Sequence, residues 1–272
     1  MHPIISKIYC VFGFITCSWI IPIPFLIIRP IVKQISNSDF CSLCGTLKYI
    51  IMDHWLNAKV VIVKGAPMKT GFILPNHRSF ADFIIDPGYS NGCGIGRWEA
   101  FWCLLPTYWL GLIDSHCLSF TRGQTDRHQL YTRCKHHFNT TTDRPLVVWP
   151  EGTRLKYLGL KSPNSIKRLF KPGLLKSIWE DAVATLTYKP LIGVGGWEAG
   201  KIDIPVQHPV QVMISNNKEV LLNEKKLHVQ RGVEIQIVFG DPIYPADYET
   251  FDQFIDAIAC EWYTAYKLAH DI

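Results

Sequence analysis

The sequence predicts an α/β domain with a central mixed sheet flanked by helices, preceded by an N-terminal membrane-embedded helical segment. Three observations carry this prediction. Apolar strand-like runs alternate with helical periodicity, two of these runs end in clusters of polar side chains, and the chain begins with a long uncharged apolar run. We therefore divide the 272 residues into an anchor over 1–35, which is a single kinked span or a re-entrant hairpin, and an α/β domain over 36–272.

The N-terminal apolar run extends from Ile8 to Ile28 without a charged side chain. Its 21 residues match the thickness of a bilayer core. A secretory signal peptide is disfavoured, because the run is too long and no small-residue cleavage site follows it. Pro22 and Pro24 each remove an intrahelical hydrogen bond, so both a kinked span and a re-entrant hairpin stay open. The run predicts attachment to a membrane.

Basic residues predict which side of that membrane the domain faces. Lys7 precedes the apolar run, whereas Arg29, Lys33 and Lys48 follow it. The positive-inside tendency then places the domain in the cytosol, at the endoplasmic reticulum or another intracellular membrane if the chain is eukaryotic. A net charge of +5 fits a domain on an anionic leaflet. No dense basic run is present, so we expect no nucleic-acid partner.

The nine cysteines indicate a reducing compartment, because their number is odd and they are scattered through apolar contexts. Cys41 and Cys44 form a lone CxxC pair. No second pair stands at zinc-finger spacing, so we expect no metal site.

Strand predictions rest on short apolar or alternating runs that end in turn residues. The clearest is VEIQIVF, which alternates apolar and polar residues before the turn GDPIYP, as a half-buried strand does. In chain order, strands are predicted at 60–65, 71–75 and 117–122, in the apolar start of 144–154, at 190–194 and within 233–245.

Helix predictions rest on amphipathic or polar periodicity. Phe254, Ile258 and Trp262 recur at helical spacing and predict a C-terminal helix that packs on the sheet or, alternatively, on lipid. Between the strands, the aromatic segment 98–113 is broken by Pro106. The other predicted helices cover 39–57, 126–138 and 174–187.

His77 and Asp82 follow the apolar run FILP, where open α/β folds carry their chemistry. A five-residue offset places two side chains about 140° apart on a regular helix, so the two meet only if a turn holds His77 and a helix begins near Asp82. A carboxylate on one imidazole nitrogen leaves the other free as a general base. The alternative is a surface His beside a carboxylate at a helix N-terminus.

A second polar cluster, PEGTR at 150–154, follows the next apolar run. Its glycine permits close backbone approach, and the guanidinium of Arg154 offers a planar fork suited to phosphate. The alternative is a turn with a surface ion pair. Two strand ends, one with a base and one with an anion-binding group, favour an active site.

Several motifs in the sequence resemble, in the same order, those of a known enzyme family. NHRSFAD at 76–82 and PEGTR at 150–154 resemble the NHxxxxD and PEGTR motifs of the glycerolipid acyltransferases exemplified by the 1-acylglycerol-3-phosphate acyltransferases. Between them, CLSFTRG resembles the family's arginine-bearing second motif. FKPG at 170–173 and VFGDPIYP resemble segments that follow in the family. The similarity covers roughly 60–245, and all the motifs occur in order.

The resemblance implies an acyltransferase domain over 36–272. It implies that His77 is the base, that Asp82 orients it, and that the acceptor hydroxyl attacks the thioester of acyl-CoA directly. Acyl-CoA is then a co-substrate, and no cofactor or obligate protein partner is implied. The phosphate and glycerol of the acceptor, most simply lysophosphatidic acid, would be held by Arg122, Glu151, Gly152, Thr153 and Arg154.

The chain departs from the family pattern at three points. The second motif has His116 and Ser119 where the family has a glycine and an aromatic or aliphatic residue. The fourth motif aligns with Lys189 and Pro190, and Trp149 replaces a phenylalanine before PEGTR. Three alternatives therefore stay open: another lysophospholipid or glycerol 3-phosphate as acceptor, a catalytically silent lipid-binding scaffold, and a hydrolase.

Overall fold

The computed structural model describes residues 3–16, 50–99, 117–121, 123–141, 143–154, 162–187 and 208–270, with residues 20, 23, 24 and 27. Its helices are α1 (Pro3–Ile15), α2 (Asp82–Ser90), α3 (Arg127–Thr140), α4 (Pro163–Lys167), α5 (Pro172–Thr187), α6 (Lys218–Leu221) and α7 (Phe251–Ala269). A π-helical turn spans Ile50–Trp55, and a 3-10 turn spans Pro245–Asp247.

The strands are β1 (Lys59–Lys64), β2 (Phe72–Pro75), β3 (Cys93–Arg97), β4 (Cys117–Phe120), β5 (Leu146–Val147), β6 (Val210–Ser215), β7 (Leu222–Asn223), β8 (His228–Val229) and β9 (Glu234–Phe239). Within the described residues, seven of them form one sheet in the order β1-β9-β6-β2-β5-β3-β4, and β7 and β8 form a separate hairpin.

The sheet is mixed and mostly parallel. Strands β2, β3, β4, β5 and β6 run in one direction, whereas β9 pairs antiparallel with β6 and parallel with β1. The carboxyl ends of β2, β5 and β6 therefore meet at one edge of the sheet, the edge where open α/β folds bind their ligands. The predicted fold class, an α/β domain with a central mixed sheet flanked by helices, is confirmed.

Both faces of the sheet are covered. Strand β2 is buried along its length, and its alternate side chains enter two apolar clusters. On one face, Phe72 and Leu74 share a cluster with Phe254 and Trp262 of α7. On the other face lie residues of α2, of the turn Ile50–Trp55 and of the strands, among them Ile73, Ile85, Met52, Met213 and Ile237. A four-residue strand with no exposed face belongs at the centre of such a sheet.

Most predicted elements recur with shifted bounds. Strands β1, β2, β4, β5 and β9 and helices α3, α5 and α7 lie where the pattern placed them. Strands β3, β6, β7 and β8 were not predicted, although β6 is a central strand. The strand predicted at 190–194, most of the aromatic segment 98–113, most of the predicted helix 39–57 and the pair Lys189 and Pro190 lie outside the described residues.

Helix α1 begins the chain and packs against the β7–β8 hairpin. Ser6 Oγ and His228 Nδ1 share a hydrogen bond of 2.7 Å, and the Tyr9 hydroxyl donates to the Trp55 carbonyl oxygen at 2.7 Å. In the described part of the chain, no helix is both long and apolar enough to cross a membrane. Most of the predicted anchor beyond α1, and its boundary near residue 35, lie outside the described residues.

Candidate active site

His77 and Asp82 meet where β2 ends. His77 lies in the turn after the strand, Asp82 is the first residue of α2, and His77 Nδ1 lies 2.7 Å from Asp82 Oδ2. The same oxygen accepts hydrogen bonds from the backbone N–H groups of Arg78 and Ser79. The turn followed by a helix is the geometry that the five-residue spacing requires. The carboxylate is therefore held by its own backbone and aimed at the imidazole.

The Asp82 contact leaves the other imidazole nitrogen of His77 for proton transfer. His77 Nε2 makes no hydrogen bond to any residue that the structure describes. The His77 side chain is 13% exposed, whereas that of Asp82 is fully buried. A carboxylate on Nδ1 fixes the tautomer in which Nε2 carries the lone pair, and it stabilises the imidazolium once a proton arrives.

Lys218 and Asp86 surround Asp82 with buried charge. Lys218 Nζ lies 2.9 and 3.0 Å from the two carboxylate oxygens of Asp86, as hydrogen bonds. It lies 3.2 Å from Asp82 Oδ1, as an ion pair without hydrogen-bond geometry. Burial alone raises the pKa of Asp82, but Lys218, His77 and the Arg78 N–H outweigh it and lower that pKa. Burial raises the pKa of Asp86 to about 7, although Lys218 opposes the shift.

Asn76 joins the two strand ends that carry these groups. Its side-chain amide donates to the Ser215 carbonyl oxygen at 2.9 Å and accepts from the Ser215 backbone N–H at 3.0 Å. The backbone carbonyl oxygen of Asn76 accepts a hydrogen bond from Lys218 Nζ at 2.6 Å. The ends of β2 and β6 are thus fixed side by side, which sets the position of His77 relative to Lys218.

Trp149 packs over the imidazole from the strand β5 side. Its ring centroid lies 5.4 Å from that of His77 and 5.2 Å from that of Phe83. Its indole Nε1 donates to Asp86 Oδ2 at 2.9 Å. Trp149 therefore has two roles: its ring packs against His77 and Phe83, and its N–H donates a hydrogen bond to the buried carboxylate of Asp86.

Glu151 is a buried carboxyl group in the same edge cluster. It is 1% exposed, and neither of its side-chain oxygens makes a hydrogen bond in the described part of the chain. Burial raises the pKa of Glu151 to about 8, and the Arg78 guanidinium offsets only part of that shift. An unpaired polar group this deep in a protein is costly, and such groups concentrate at functional sites.

The last three residues of PEGTR lie on the surface. Gly152 has φ +65°, a left-handed conformation that favours glycine, and Thr153 beside it is exposed. The guanidinium of Arg154 lies 4.5 Å from the centroid of the Phe80 ring and pairs with the Glu224 carboxylate. Phe80 belongs to the turn between His77 and Asp82, so Arg154 stands beside the turn that carries the imidazole. An anion bound by Arg154 would compete with Glu224.

Of the seven predicted site residues, six are described. The structure brings His77, Asp82 and Glu151 together at the sheet edge, with Gly152, Thr153 and Arg154 on the adjoining surface. Arg122 lies outside the described residues. Within the described ranges, no group of three or more His, Cys, Asp or Glu side chains is arranged to hold a metal ion.

Two residues of the cluster escaped the sequence prediction. Asp86 stands four residues after Asp82, so both carboxylates lie on one face of α2, and that i, i+4 spacing was a usable signal. Lys218 had no such signal, because it reaches Asp86 across 132 residues of sequence.

Comparison with known proteins gives a fold. No family model matches the chain, and no curated protein sequence matches it. Among solved structures, the 1-acyl-sn-glycerophosphate (LPA) acyltransferase PlsC from Thermotoga maritima is similar, with a TM-score of 0.64. The match covers 97% of this chain and 95% of that chain, at 14% sequence identity. The chain has the fold of PlsC.

At 14% identity the similarity to PlsC is one of fold, and the chemistry has to be argued from the residues described above. In this chain the mostly parallel sheet brings the ends of β2, β5 and β6 to one edge, and the segments that follow these three ends carry His77, Glu151 and Lys218.

Proposed function

We propose that this protein is an acyltransferase that moves a fatty acyl group from acyl-CoA to the free hydroxyl of 1-acyl-sn-glycerol-3-phosphate (lysophosphatidic acid) and forms phosphatidic acid. The observation that carries the proposal is the hydrogen bond of 2.7 Å between His77 Nδ1 and Asp82 Oδ2 at the carboxyl edge of the sheet. The fold shared with PlsC supports the reaction class.

The chemistry needs one base and no protein nucleophile. His77 Nε2 accepts the proton of the acceptor hydroxyl as its oxygen attacks the thioester carbonyl carbon, and Asp82 stabilises the imidazolium. The C–S bond then breaks, the ester forms, and the CoA thiolate takes the proton from His77 Nε2. The imidazole returns to its starting state, so acyl-CoA serves as a co-substrate and no cofactor enters the balance.

The acceptor phosphate would bind on the PEGTR side of the base. Arg154 stands next to the His77 turn through its contact with Phe80. A guanidinium binds phosphate through paired hydrogen bonds, and the hydroxyl and backbone N–H of the exposed Thr153 add neutral donors. We assign Glu151 and Arg122 to the glycerol and phosphate as well, in line with the motif resemblance.

Both substrates have acyl chains, so we place the reaction at a membrane surface, with the domain in the cytosol. The exposed apolar face of α1 supports this assignment. Ile4, Ile8 and Phe12 are 61, 64 and 66% exposed. An amphipathic helix with a bare apolar face is typical of proteins that lie on a lipid surface.

The test is acyl transfer from labelled oleoyl-CoA to lysophosphatidic acid by the full chain in mixed micelles. We expect the wild type to form phosphatidic acid and His77→Ala to lose about 10² to 10⁴-fold of that rate, the usual contribution of a general base. His136→Ala, which removes an exposed histidine on α3, serves as the matched control and keeps the wild-type rate.

The products separate the alternatives. Free oleate without acylated lipid would indicate a hydrolase, and transfer only to another lysophospholipid or to glycerol 3-phosphate would change the acceptor. Lipid binding without any acyl transfer would replace the enzyme with a silent lipid-binding protein.

A further inference from the structure

The second buried carboxylate of α2 and the lysine that bridges it to the first have no role in the reaction as written. Lys218 Nζ reaches Asp86 at 2.9 and 3.0 Å, Asp82 at 3.2 Å and the Asn76 carbonyl oxygen at 2.6 Å. The side chains of all three charged residues are fully buried. A lysine is almost never fully buried unless it is paired, so its place here is specific.

The bridge matters because Asp82 and Asp86 share one helix face. Without a cation between them, two buried carboxylates this close cannot both stay ionised, and one of them takes a proton. If Asp82 were the one protonated, it could no longer stabilise the His77 imidazolium. Lys218 decides that competition in favour of an ionised Asp82: its charge lies between the two carboxylates, and the pKa of Asp82 is lowered whereas that of Asp86 is raised to about 7.

We propose that Lys218 is a positioning residue for the base: it keeps Asp82 ionised and in line with His77 Nδ1, and Asp86 anchors its ammonium group. The proposal rests on the proposed function in one respect, since it takes His77 to be the base. Lys218 touches no reacting atom and acts through Asp82.

The charges around the His77–Asp82 pair determine in which direction each substitution shifts the pH dependence of the rate. The groups that face the Asp82 carboxylate are His77, Lys218, Asp86, Arg78 and Glu151. Removing the Lys218 charge leaves the pair in a more negative environment. The His77–Asp82 pair then binds a proton more tightly, so the acidic limb of the plot of kcat/KM against pH moves to higher pH. Removing the Asp86 charge moves that limb to lower pH.

The experiment measures kcat/KM for acyl transfer against pH in four variants of the full chain. For Lys218→Met we expect the acidic limb to move up by about one pH unit, the shift typical of losing a neighbouring opposite charge. For Asp86→Asn we expect it to move down by a smaller amount, because a pKa of about 7 leaves Asp86 partly protonated along the limb. The double variant removes one charge of each sign, so its limb returns toward the wild type. Lys226→Met, at an exposed lysine of the β7–β8 hairpin, leaves the limb in place.

A merely structural lysine would lower kcat/KM without moving the limb, and an unmoved limb in folded Lys218→Met or in Asp86→Asn would overturn the proposal. If Lys218→Met does not fold, Asp86→Asn and the double variant still decide the sign.

A second measurement separates this proposal from the proposed function. Diethyl pyrocarbonate modifies neutral imidazole, so the pH midpoint for modification of the His77 peptide, followed by mass spectrometry, needs no acyl transfer. We expect the midpoints of Lys218→Met and Asp86→Asn to be displaced from that of the wild type in opposite directions. If the wild type transfers no acyl group while these midpoints move as expected, the proposed reaction fails and the positioning role of Lys218 stands.

Discussion

The environment of Glu151 does not suit a charged carboxylate. Its carboxyl group is buried without a hydrogen bond to any described residue, and burial raises its pKa to about 8. At neutral pH the group is therefore mostly protonated, and it can donate a hydrogen bond as well as accept one. Under the proposed function, a neutral carboxyl group beside His77 would suit a glycerol hydroxyl better than a carboxylate would.

This protonation makes the stability of the fold depend on pH. The folded-state pKa of Glu151 is raised above its unfolded value of 4.5, so the folded state binds the proton more tightly and stability falls as pH rises from about 5 to 8. We expect Glu151→Gln, which mimics the protonated form, to melt about as the wild type does at pH 5. At pH 8.5 we expect it to melt a few degrees higher.

Thermal melts of both proteins at the two pH values check this expectation. Glu249→Gln, at an exposed position after the Pro245–Asp247 turn, is the control and shows no pH-dependent difference from the wild type. An equal difference in melting temperature at both pH values would show that Glu151 is ionised throughout.

The site residues that the sequence predicted lie close to one another along the chain. His77 and Asp82 lie five residues apart, and Glu151 to Arg154 form one run, so a motif can record them. Lys218 belongs to no such run. Its role depends on β6 lying next to β2, and that neighbourhood is a property of the whole sheet.

At the scale of elements, the join between β2 and β6 depends on one side chain. The Asn76 amide makes two hydrogen bonds to the Ser215 backbone, and both residues are buried. Asn76→Ala leaves the Ser215 N–H and carbonyl oxygen without these partners. We expect it to lower the free energy of unfolding by about 2 to 4 kcal/mol.

Urea unfolding measures this loss as a lower midpoint at an unchanged slope. Asn139→Ala, at an exposed position on α3, is the matched control and should change stability by less than about 0.5 kcal/mol. A loss for Asn76→Ala as small as that of the control would mean that water replaces the amide at the strand join.

The elements that the sequence did not predict have weak local signals. Strand β3 reads CGIGR, and its two glycines depress strand propensity until β4 and β5 pair with it. Strand β6 contains Gln211, a polar residue that looks exposed in sequence. Its amide is buried and bonds the carbonyl oxygens of Ala66 and Gly240 and the Met68 N–H. In both strands the tertiary neighbours decide the structure.

At the scale of the whole molecule, the apolar face of α1 has no covering element in the described residues. The helix packs through Ser6 and Tyr9, whereas Ile4, Ile8 and Phe12 are exposed. The uncharged apolar run that begins within this helix continues to Ile28. Such a face fits the lipid surface at which we propose that the reaction takes place.

We expect Ile8→Asp combined with Phe12→Asp to weaken binding to vesicles of phosphatidylcholine and phosphatidic acid by about tenfold or more. The reason is that each large apolar side chain contributes about 1.5 to 3 kcal/mol when it leaves water. Co-sedimentation of the full chain with vesicles measures the change. Ile62→Asp on β1 is the control, because Ile62 is also exposed and lies on the edge strand of the sheet. If both variants weaken vesicle binding equally, α1 is not the part of the protein that contacts the membrane.

The long sequence separation inside the buried charge cluster has a consequence for synthesis. Lys218 is added to the chain 132 residues after Asp86, which at roughly 5 to 20 residues per second is about 7 to 26 s. Until then the two carboxylates of α2 lack the lysine that pairs with both of them, and burying them without it is unfavourable. We therefore expect docking of α2 to be delayed until β6 and Lys218 leave the ribosome. A chain whose translation stops before Lys218 contains Asp82 and Asp86 but not the cation that lets them be buried together, so we expect the acidic face of α2 to stay exposed to proteases.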